Sequence, residues 1–499
     1  MTDYAIEFSD FCFEYPSDNA ECRAYRIGPI NWHVRAGEFQ LLVGATGCGK
    51  TTLLRNLKPA IRPHGKREGS LAVFGAHLDA NAGNRGAAEA VKADELRANT
   101  TVGFVFQSPE NQLVCDSVWH EITFGLENLG VSQDEMRRRV AEMVHFFGIE
   151  SWFDRSIDEL SGGQKQIVAL AGVLVMQPRI LVLDEPTEQL DPIAEKNFMH
   201  ALFRVNRELD ITVVLSTHAP ESSVEYATSA VRLDQGRLQE VDLADFAAGP
   251  LDVSLLRRDV VGFSHSEDAL RVVDAYVRYD RDSDWVLRGC DFALRRQEIR
   301  ALIGGNGCGK STLLRAAAGV LPCKRGRVDN RLAKSQAYLP QNPKELFVCD
   351  SVLEELTEWQ RFAGYSDDDV RDLAAKLSLD GLMQQHPYDL SGGQQQLLAL
   401  AKILLTNPQI IFLDEPTKGL DAATKLIVAD ALLAARDAGA SIVFATHDLT
   451  FAALMADSAT MLFDGQDAST QPIANFFENS MFYRPPNDSF AKAWIEGRG

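Results

Sequence analysis

Short, nearly continuous apolar runs recur along the chain, separated by longer stretches whose apolar residues fall every three or four positions. Phe39–Val43, Ile180–Leu183 and Ile211–Leu215 are such runs, and Ile299–Ile303, Ile410–Leu413 and Ser441–Ala445 repeat them further on. Runs of this length without polar alternation predict strands buried on both faces. Between them, Gly163–Met176 and Gly393–Leu405 carry the helical spacing. Strands alternating with helices predict an α/β fold with a largely parallel sheet.

The pattern occurs twice because the chain repeats itself. LLVGATGCGKTTLL at Leu41–Leu54 answers LIGGNGCGKSTLL at Leu302–Leu314, LSGGQ at Leu160–Gln164 answers Leu390–Gln394, and LDEPT at Leu183–Thr187 answers Leu413–Thr417. Ser216-Thr217-His218 answers Ala445-Thr446-His447. Four blocks in one order, more than 200 residues apart, are too widely spaced for a solenoid and indicate duplication of a whole domain. The expected layout is a first domain at 1–255, a linker at 256–269, a second domain at 270–469 and a tail at 470–499. The first copy carries extra residues around Gly75–Asn99, expected to be a surface loop with a short helix.

Composition narrows the class. The 499 residues are 45% hydrophobic and 24% charged, as in ordinary globular proteins. The formal charge of −20 argues against a nucleic-acid partner, since such binding draws on Lys and Arg to neutralise phosphates. Eight cysteines without Cys-x-x-Cys pairs predict free thiols, not a disulfide framework or a zinc site. No apolar run approaches the ~20 residues that span a bilayer. The start, Met-Thr-Asp-Tyr, lacks the basic and apolar regions of a secretory leader, so folding in the cytosol is expected.

The repeated blocks carry phosphate chemistry. Gly44-Ala45-Thr46-Gly47-Cys48-Gly49-Lys50-Thr51-Thr52 and Gly304-Gly305-Asn306-Gly307-Cys308-Gly309-Lys310-Ser311-Thr312 each follow an apolar strand and open a helix. Glycines there let backbone N–H groups wrap phosphates, the lysine reaches the β- and γ-phosphates, and Thr51 or Ser311 suits Mg²⁺. Cys48 and Cys308 are expected as small packing residues that leave the site sensitive to thiol reagents. Asp184 and Asp414 end apolar strands, which places them at the carboxyl edge of the sheet, where an aspartate can hold Mg²⁺. Glu185 and Glu415 follow, suited to polarising an attacking water. Ser161-Gly162-Gly163-Gln164 and Ser391-Gly392-Gly393-Gln394 open long helices, with the serines fit to cap them.

With these five motifs in order, each twice, nearly the whole chain resembles the ATP-binding-cassette (ABC) ATPases. The resemblance implies that Glu185 and Glu415 are catalytic bases and that His218 and His447 are switch histidines near the γ-phosphate. It implies that Gln107 and Gln341 sense Mg²⁺ and the membrane partner, and that Tyr15 and Tyr279 stack on adenine. Asp191 and Asp421 fit the loop that crosses between cassettes. It further implies a head-to-tail intramolecular dimer, with ATP between the phosphate loop of one cassette and the LSGGQ of the other. Neither copy has lost a motif residue, so two competent sites are expected.

The segment Gln107-Ser108-Pro109-Glu110-Asn111-Gln112-Leu113, with Trp119–Gly130 after it, resembles the energy-coupling-factor ATPases. These drive uptake of vitamins or of cobalt and nickel through a membrane coupling subunit and a substrate-binding membrane protein, from the cytoplasmic face of the membrane. The second copy departs, with Leu346 where the first has Gln112. Two other readings stay open: a fused sugar-importer ATPase, and a ribosome-associated translation factor of the ABC-F type. Val-Cys-Asp-Ser-Val follows the glutamine loop in both copies, and Leu113 and Phe347 before it are expected to face outward as a docking patch.

Overall fold

The computed structural model describes residues 4–16, 26–78, 85–188, 190–247, 249, 251–252, 267–280, 283–480 and 483–496. They fall into two units, Met1–Ala247 and Ala248–Gly499. Of the linker expected at 256–269, residues 256–266 lie outside the described residues.

The first unit runs through β1 (Tyr4–Glu14), β2 (Arg26–Arg35), β3 (Phe39–Val43), β4 (Lys66–Val73), β5 (Ala76–His77), β6 (Val102–Val105), β7 (Ile180–Asp184), β8 (Thr212–Thr217), β9 (Ser229–Asp234) and β10 (Arg237–Val241). Six of these form one sheet in the order β10-β9-β3-β8-β7-β6, parallel except for β10. Every residue of β3, β7 and β8 is buried, which explains their apolar composition. The other four form an antiparallel sheet, β2-β1-β4-β5. The sequence reading did not anticipate this sheet, although β2 alternates plainly, with Ile30, Trp32 and Val34 inward.

The second unit repeats the plan with β11 (Asp268–Val277), β12 (Leu287–Arg295), β13 (Ile299–Ile303), β14 (Arg325–Asn330), β15 (Gln336–Leu339), β16 (Ile410–Asp414), β17 (Ser441–Ala445), β18 (Ser458–Phe463) and β19 (Gln466–Pro472). Its sheets are β15-β16-β17-β13-β18-β19 and the antiparallel β12-β11-β14. In each unit one core cluster joins both sheets to the helix after the phosphate loop. In the first it unites Phe8, Trp32, Leu53, Leu54, Val182 and Val214. In the second it unites Val272, Phe292, Leu313, Leu314, Phe412 and Val443. The loop is thus held between two rigid layers.

Helices Val118–Asn128, Gln133–Phe147 and Gly162–Leu174 pack on one another around Ile122, Val140, Val144 and Val168. The extra segment of the first copy forms a helix over Arg85–Thr101, 17 residues long, not a short one. Its run of Ala, Glu, Lys, Leu and Arg consists largely of strong helix formers. The tail contributes helices Ile473–Glu478 and Ser489–Glu496, whose Phe476, Phe477, Phe490 and Trp494 lie in the core of the second unit. Residues 249 and 251 join this region, through Leu251 N–H to Pro485 O and Asn487 N–H to Gly249 O, both 2.9 Å.

A buried lysine is one of the differences between the copies. Lys402, wholly buried in helix Gly392–Leu404, is paired with Glu355 and with Glu358 and donates to Leu346 O at 2.8 Å. Glu355 in turn accepts the backbone N–H groups of Val348 and Cys349. In the first unit Glu121 accepts Val114 and Cys115 in the same way, both at 2.9 Å, but Gly172 stands where the second has Lys402.

Candidate functional site

Each phosphate loop connects the central strand, β3 or β13, to a helix whose N-cap glycine is left-handed: Gly49 at φ 105° and Gly309 at φ 106°. A side chain there would be strained, so the third motif glycine is a backbone requirement. Lys50 is buried and its Nζ donates to Gly44 O at 2.6 Å and Ala45 O at 3.1 Å. Lys310 Nζ does the same to Gly304 O at 2.8 Å and Gly305 O at 3.1 Å. Each lysine therefore folds back over its own loop. Cys48 and Cys308 are half-buried and pack against the core clusters of their units. Burial pushes the Cys48 thiol up, against the pull of Lys50.

The acids come from the neighbouring strand. Asp184 and Asp414 end β7 and β16 and are buried; burial raises both, while Thr51 and Ser311 of the phosphate loops hydrogen-bond them and pull the other way. Glu185 and Glu415 follow in left-handed backbone, at φ 46° and 53°. Strain of this kind in a non-glycine residue is typical of functional positions.

Around these glutamates the copies diverge. Glu185 bridges Lys50 and His218, with Oε1 2.9 Å from Lys50 Nζ and Oε2 2.8 Å from His218 Nδ1. Burial would raise its carboxyl, but His218 and Lys50 outweigh that and hold it down at about 2. In the second copy the imidazole is the bridge: His447 Nε2 lies 3.3 Å from Lys310 Nζ and 3.4 Å from Glu415 Oε1. Glu415 also accepts His447 N–H at 3.2 Å. Burial prevails there and pushes the carboxyl up to about 7.

Ser216 is a residue the sequence reading passed over. Its hydroxyl donates to Asp184 Oδ1 at 2.8 Å and accepts Glu185 N–H at 3.1 Å. Register places Ala445 at this point of the second copy, opposite Asp414. Asp414 Oδ2 is buried without a hydrogen-bond partner. The signal was the single difference between Ser-Thr-His and Ala-Thr-His.

Tyr15 Oη and Tyr279 Oη lie 3.0 and 3.1 Å from Thr52 Oγ1 and Thr312 Oγ1, with 36% and 50% of each tyrosine exposed beside the loop. Gln107 is exposed and donates to Glu188; Gln341 is exposed. Ser161 and Ser391 form capping boxes with Gln164 and Gln394 at helices Gly162–Leu174 and Gly392–Leu404. Asp191 and Asp421 cap helices Pro192–Leu209 and Ala422–Asp437. The docking expectation at Leu113 and Phe347 is corrected: Phe347 is buried in the second core and Leu113 packs half-buried against helix Val118–Asn128 and its neighbours. The tight turn that Glu121 and Glu355 hold sends the next residues outward instead, leaving Val114 and Val348 67% and 72% exposed.

The model of the ABC transporter family matches residues 27–188 and 287–418, the spans that carry these loops and acids. The chain belongs to the ABC transporter ATP-binding proteins. As such it is an ABC ATPase that binds and hydrolyses ATP, in a family whose members work with membrane subunits. It is 34% identical over 543 residues to a protein named as an ABC transporter ATP-binding protein in Bacillus thuringiensis subsp. konkukian (strain 97-27), covering 97% of this chain and 95% of that one. It is 27% identical over 485 residues to a Bacillus subtilis (strain 168) protein named for HMP/thiamine import, YkoD, covering 87% and 86%. An archaeal ribosome recycling factor shares the fold, at 20% identity and TM-score 0.61 over 94% of this ABC protein and 96% of that chain. Among the described residues no helix is long and apolar enough to cross a membrane.

Proposed function

We propose that this ABC protein is the ATPase of an energy-coupling-factor uptake transporter, driving import of a vitamin or a transition-metal ion such as cobalt or nickel through separate membrane subunits. The observation that carries this reading is the likeness, over 87% of the chain, to a protein named for HMP/thiamine import. The glutamine-rich segment Gln107–Leu113 supports it, and so does the exposure of Val114 and Val348 beside the two glutamine loops. A single exposed apolar residue is ordinary; what singles out Val114 and Val348 is their matched place beside the glutamine loop in both copies. The chain would then act from the cytoplasmic face of the membrane.

In this reading the ATP phosphates draw Lys50 and Lys310 away from their loop carbonyls. Lys50 thereby releases Glu185, which takes the proton of the attacking water, while His218 holds the carboxylate in place. Glu415 and His447 do the same in the second cassette. Oxygen donors suit Mg²⁺, and Thr51, Asp184 and Gln107, or Ser311, Asp414 and Gln341, would hold it. The partnerless Asp414 Oδ2 fits such a ligand. Bound there, Mg²⁺ would supply positive charge to the β- and γ-phosphate oxygens. From the family resemblance we further propose composite sites, Lys50 acting with Ser391 and Lys310 with Ser161.

The test is affinity purification of the full chain from its own membranes, followed by mass spectrometry. A coupling protein and a small substrate-binding membrane protein are expected, and Val114→Asp with Val348→Asp should release them while ATP still binds. Recovery of ribosomal proteins instead, or undiminished assembly of the double variant, would overturn the reading.

A further inference from the structure

The two cassettes treat one internal corner differently. In the second, Arg300 of β13 is buried, with Nε 3.0 Å from Glu298 Oε1 and from Ser458 Oγ, and Nη2 2.7 Å from Glu298 Oε1. Its guanidinium lies 5.6 Å from the centre of the Phe292 ring. The surrounding groups form a complete receptor for a guanidinium: a carboxylate, a hydroxyl and an aromatic wall.

The first cassette keeps the receptor and lacks the arginine. Glu38, Ser229 and Trp32 stand where the second has Glu298, Ser458 and Phe292, while Gln40 replaces Arg300. Gln40 Nε2 donates to Ser229 Oγ at 3.0 Å and to Glu38 Oε1 at 3.5 Å, and its Oε1 accepts Trp32 Nε1 at 2.5 Å, so it fills the inner part of this corner as a neutral group and leaves Glu38 without a cation. A cavity of about 430 Å³ opens at this point. Its wall carries three carboxylates, Glu38, Glu240 and Asp242, against the single guanidinium of Arg35. The rings of Tyr4 and His33, 5.0 Å apart, form another part of the wall. A cavity of this size suits a small organic molecule.

We propose that this cavity is a binding site for a small organic cation of the guanidinium or amidinium class, which sits against Gln40 and supplies to Glu38 the charge that Arg300 supplies to Glu298 in the second cassette. The cavity lining includes no residue of the nucleotide loops, so its ligand is not a substrate of ATP hydrolysis. The charged head is held by Glu38, with Glu240 and Asp242 at the mouth, and an aromatic or aliphatic body lies against Tyr4 and His33.

Benzamidinium chloride is the probe, titrated into the full-length protein by calorimetry, with neutral benzamide as the control. Saturable one-to-one binding with a Kd of about 1 mM or tighter is expected for a ligand of this size, and none for benzamide. Gln40→Arg supplies the guanidinium from within and should abolish binding while circular dichroism and ATPase activity stay unchanged. Glu240→Gln with Asp242→Asn, at the rim, should weaken binding at least tenfold and covers the case in which the buried variant fails to fold. Absence of saturable binding, equal binding of benzamide, or retained affinity in Gln40→Arg or in the rim variant would overturn the proposal.

Discussion

The two cassettes carry the same motifs and rest in different electrostatic states. In the first, one carboxylate is shared by a lysine and a histidine; in the second, one imidazole sits between the lysine and the carboxylate. Glu185 is consequently held at about 2 and Glu415 at about 7. A motif therefore specifies which groups meet but not which of them is charged. That depends on contacts of a few ångströms, set partly by neighbours outside the motif. Lys418, which follows the second acid pair, is such a neighbour: its charge pulls Glu415 down against its burial.

The comparison is broken most directly at the glutamates. Glu185→Gln and Glu415→Gln should each lower turnover at their own site by roughly 10²–10⁴-fold, read as single-turnover phosphate release, with the double variant inactive. A single variant that abolishes all turnover while the other changes nothing would show that one site alone hydrolyses ATP.

The pH dependence sharpens it. In the Glu185→Gln background the remaining kcat/KM depends on Glu415, whose carboxylate form is lost below about pH 7. It should fall about tenfold per pH unit below that point. In the Glu415→Gln background Glu185 stays ionised, and kcat/KM should be flat over the same range. The signs for stability are opposite. The depressed Glu185 contributes stability that is present above the ordinary carboxylate range and lost as pH falls toward 2. The raised Glu415 costs nothing below that range, and its cost grows as pH rises toward 7.

Exchanging the serine comes next in size. Ser216→Ala should cost about 1 kcal/mol by removing the hydroxyl from Asp184, and Ala445→Ser should return a similar amount to Asp414, each shifting thermal unfolding by about 2–4 °C. The smallest effect is expected at the tyrosines. Tyr15→Phe and Tyr279→Phe lose only a partly exposed hydroxyl contact to Thr52 or Thr312, so ATP affinity should fall by less than about threefold in a fluorescence titration. Tyr15→Ala or Tyr279→Ala, which removes the ring, should cost more only where that ring is the adenine platform.

The central strands were legible because burial on both faces leaves no room for polar alternation. Phe39–Val43, Ile299–Ile303 and Ser441–Ala445 coincide with β3, β13 and β17. The acids and lysines were legible because their chemistry requires fixed residue types at strand ends. The antiparallel sheets were harder, since β1 and β4 are interrupted by register shifts that blur a period of two. The inward turn of Phe347 goes with Glu355 gathering the backbone of Val348 and Cys349, a side-chain contact six and seven residues back that apolar pattern does not report. Lys402 did leave a trace, as a lone cation in the apolar run Leu397–Leu405. Its partners, roughly 45 positions upstream, left none that spacing could reveal.

That buried lysine also limits how far the halves remain interchangeable parts. Grafting residues 346–358 alone onto the first cassette sets Glu355 against Gly172, an arrangement that cassette already sustains with Glu121 held by two backbone N–H groups. Grafting helix Gly392–Leu404 alone keeps one partner for Lys402 in Glu121 but loses the carboxylate of Glu358, where the first cassette has Phe124. A buried cation that loses part of its compensation is costly. The helix is therefore the half that needs its companion loop, which ends more than thirty residues before it, whereas the loop can travel without the helix.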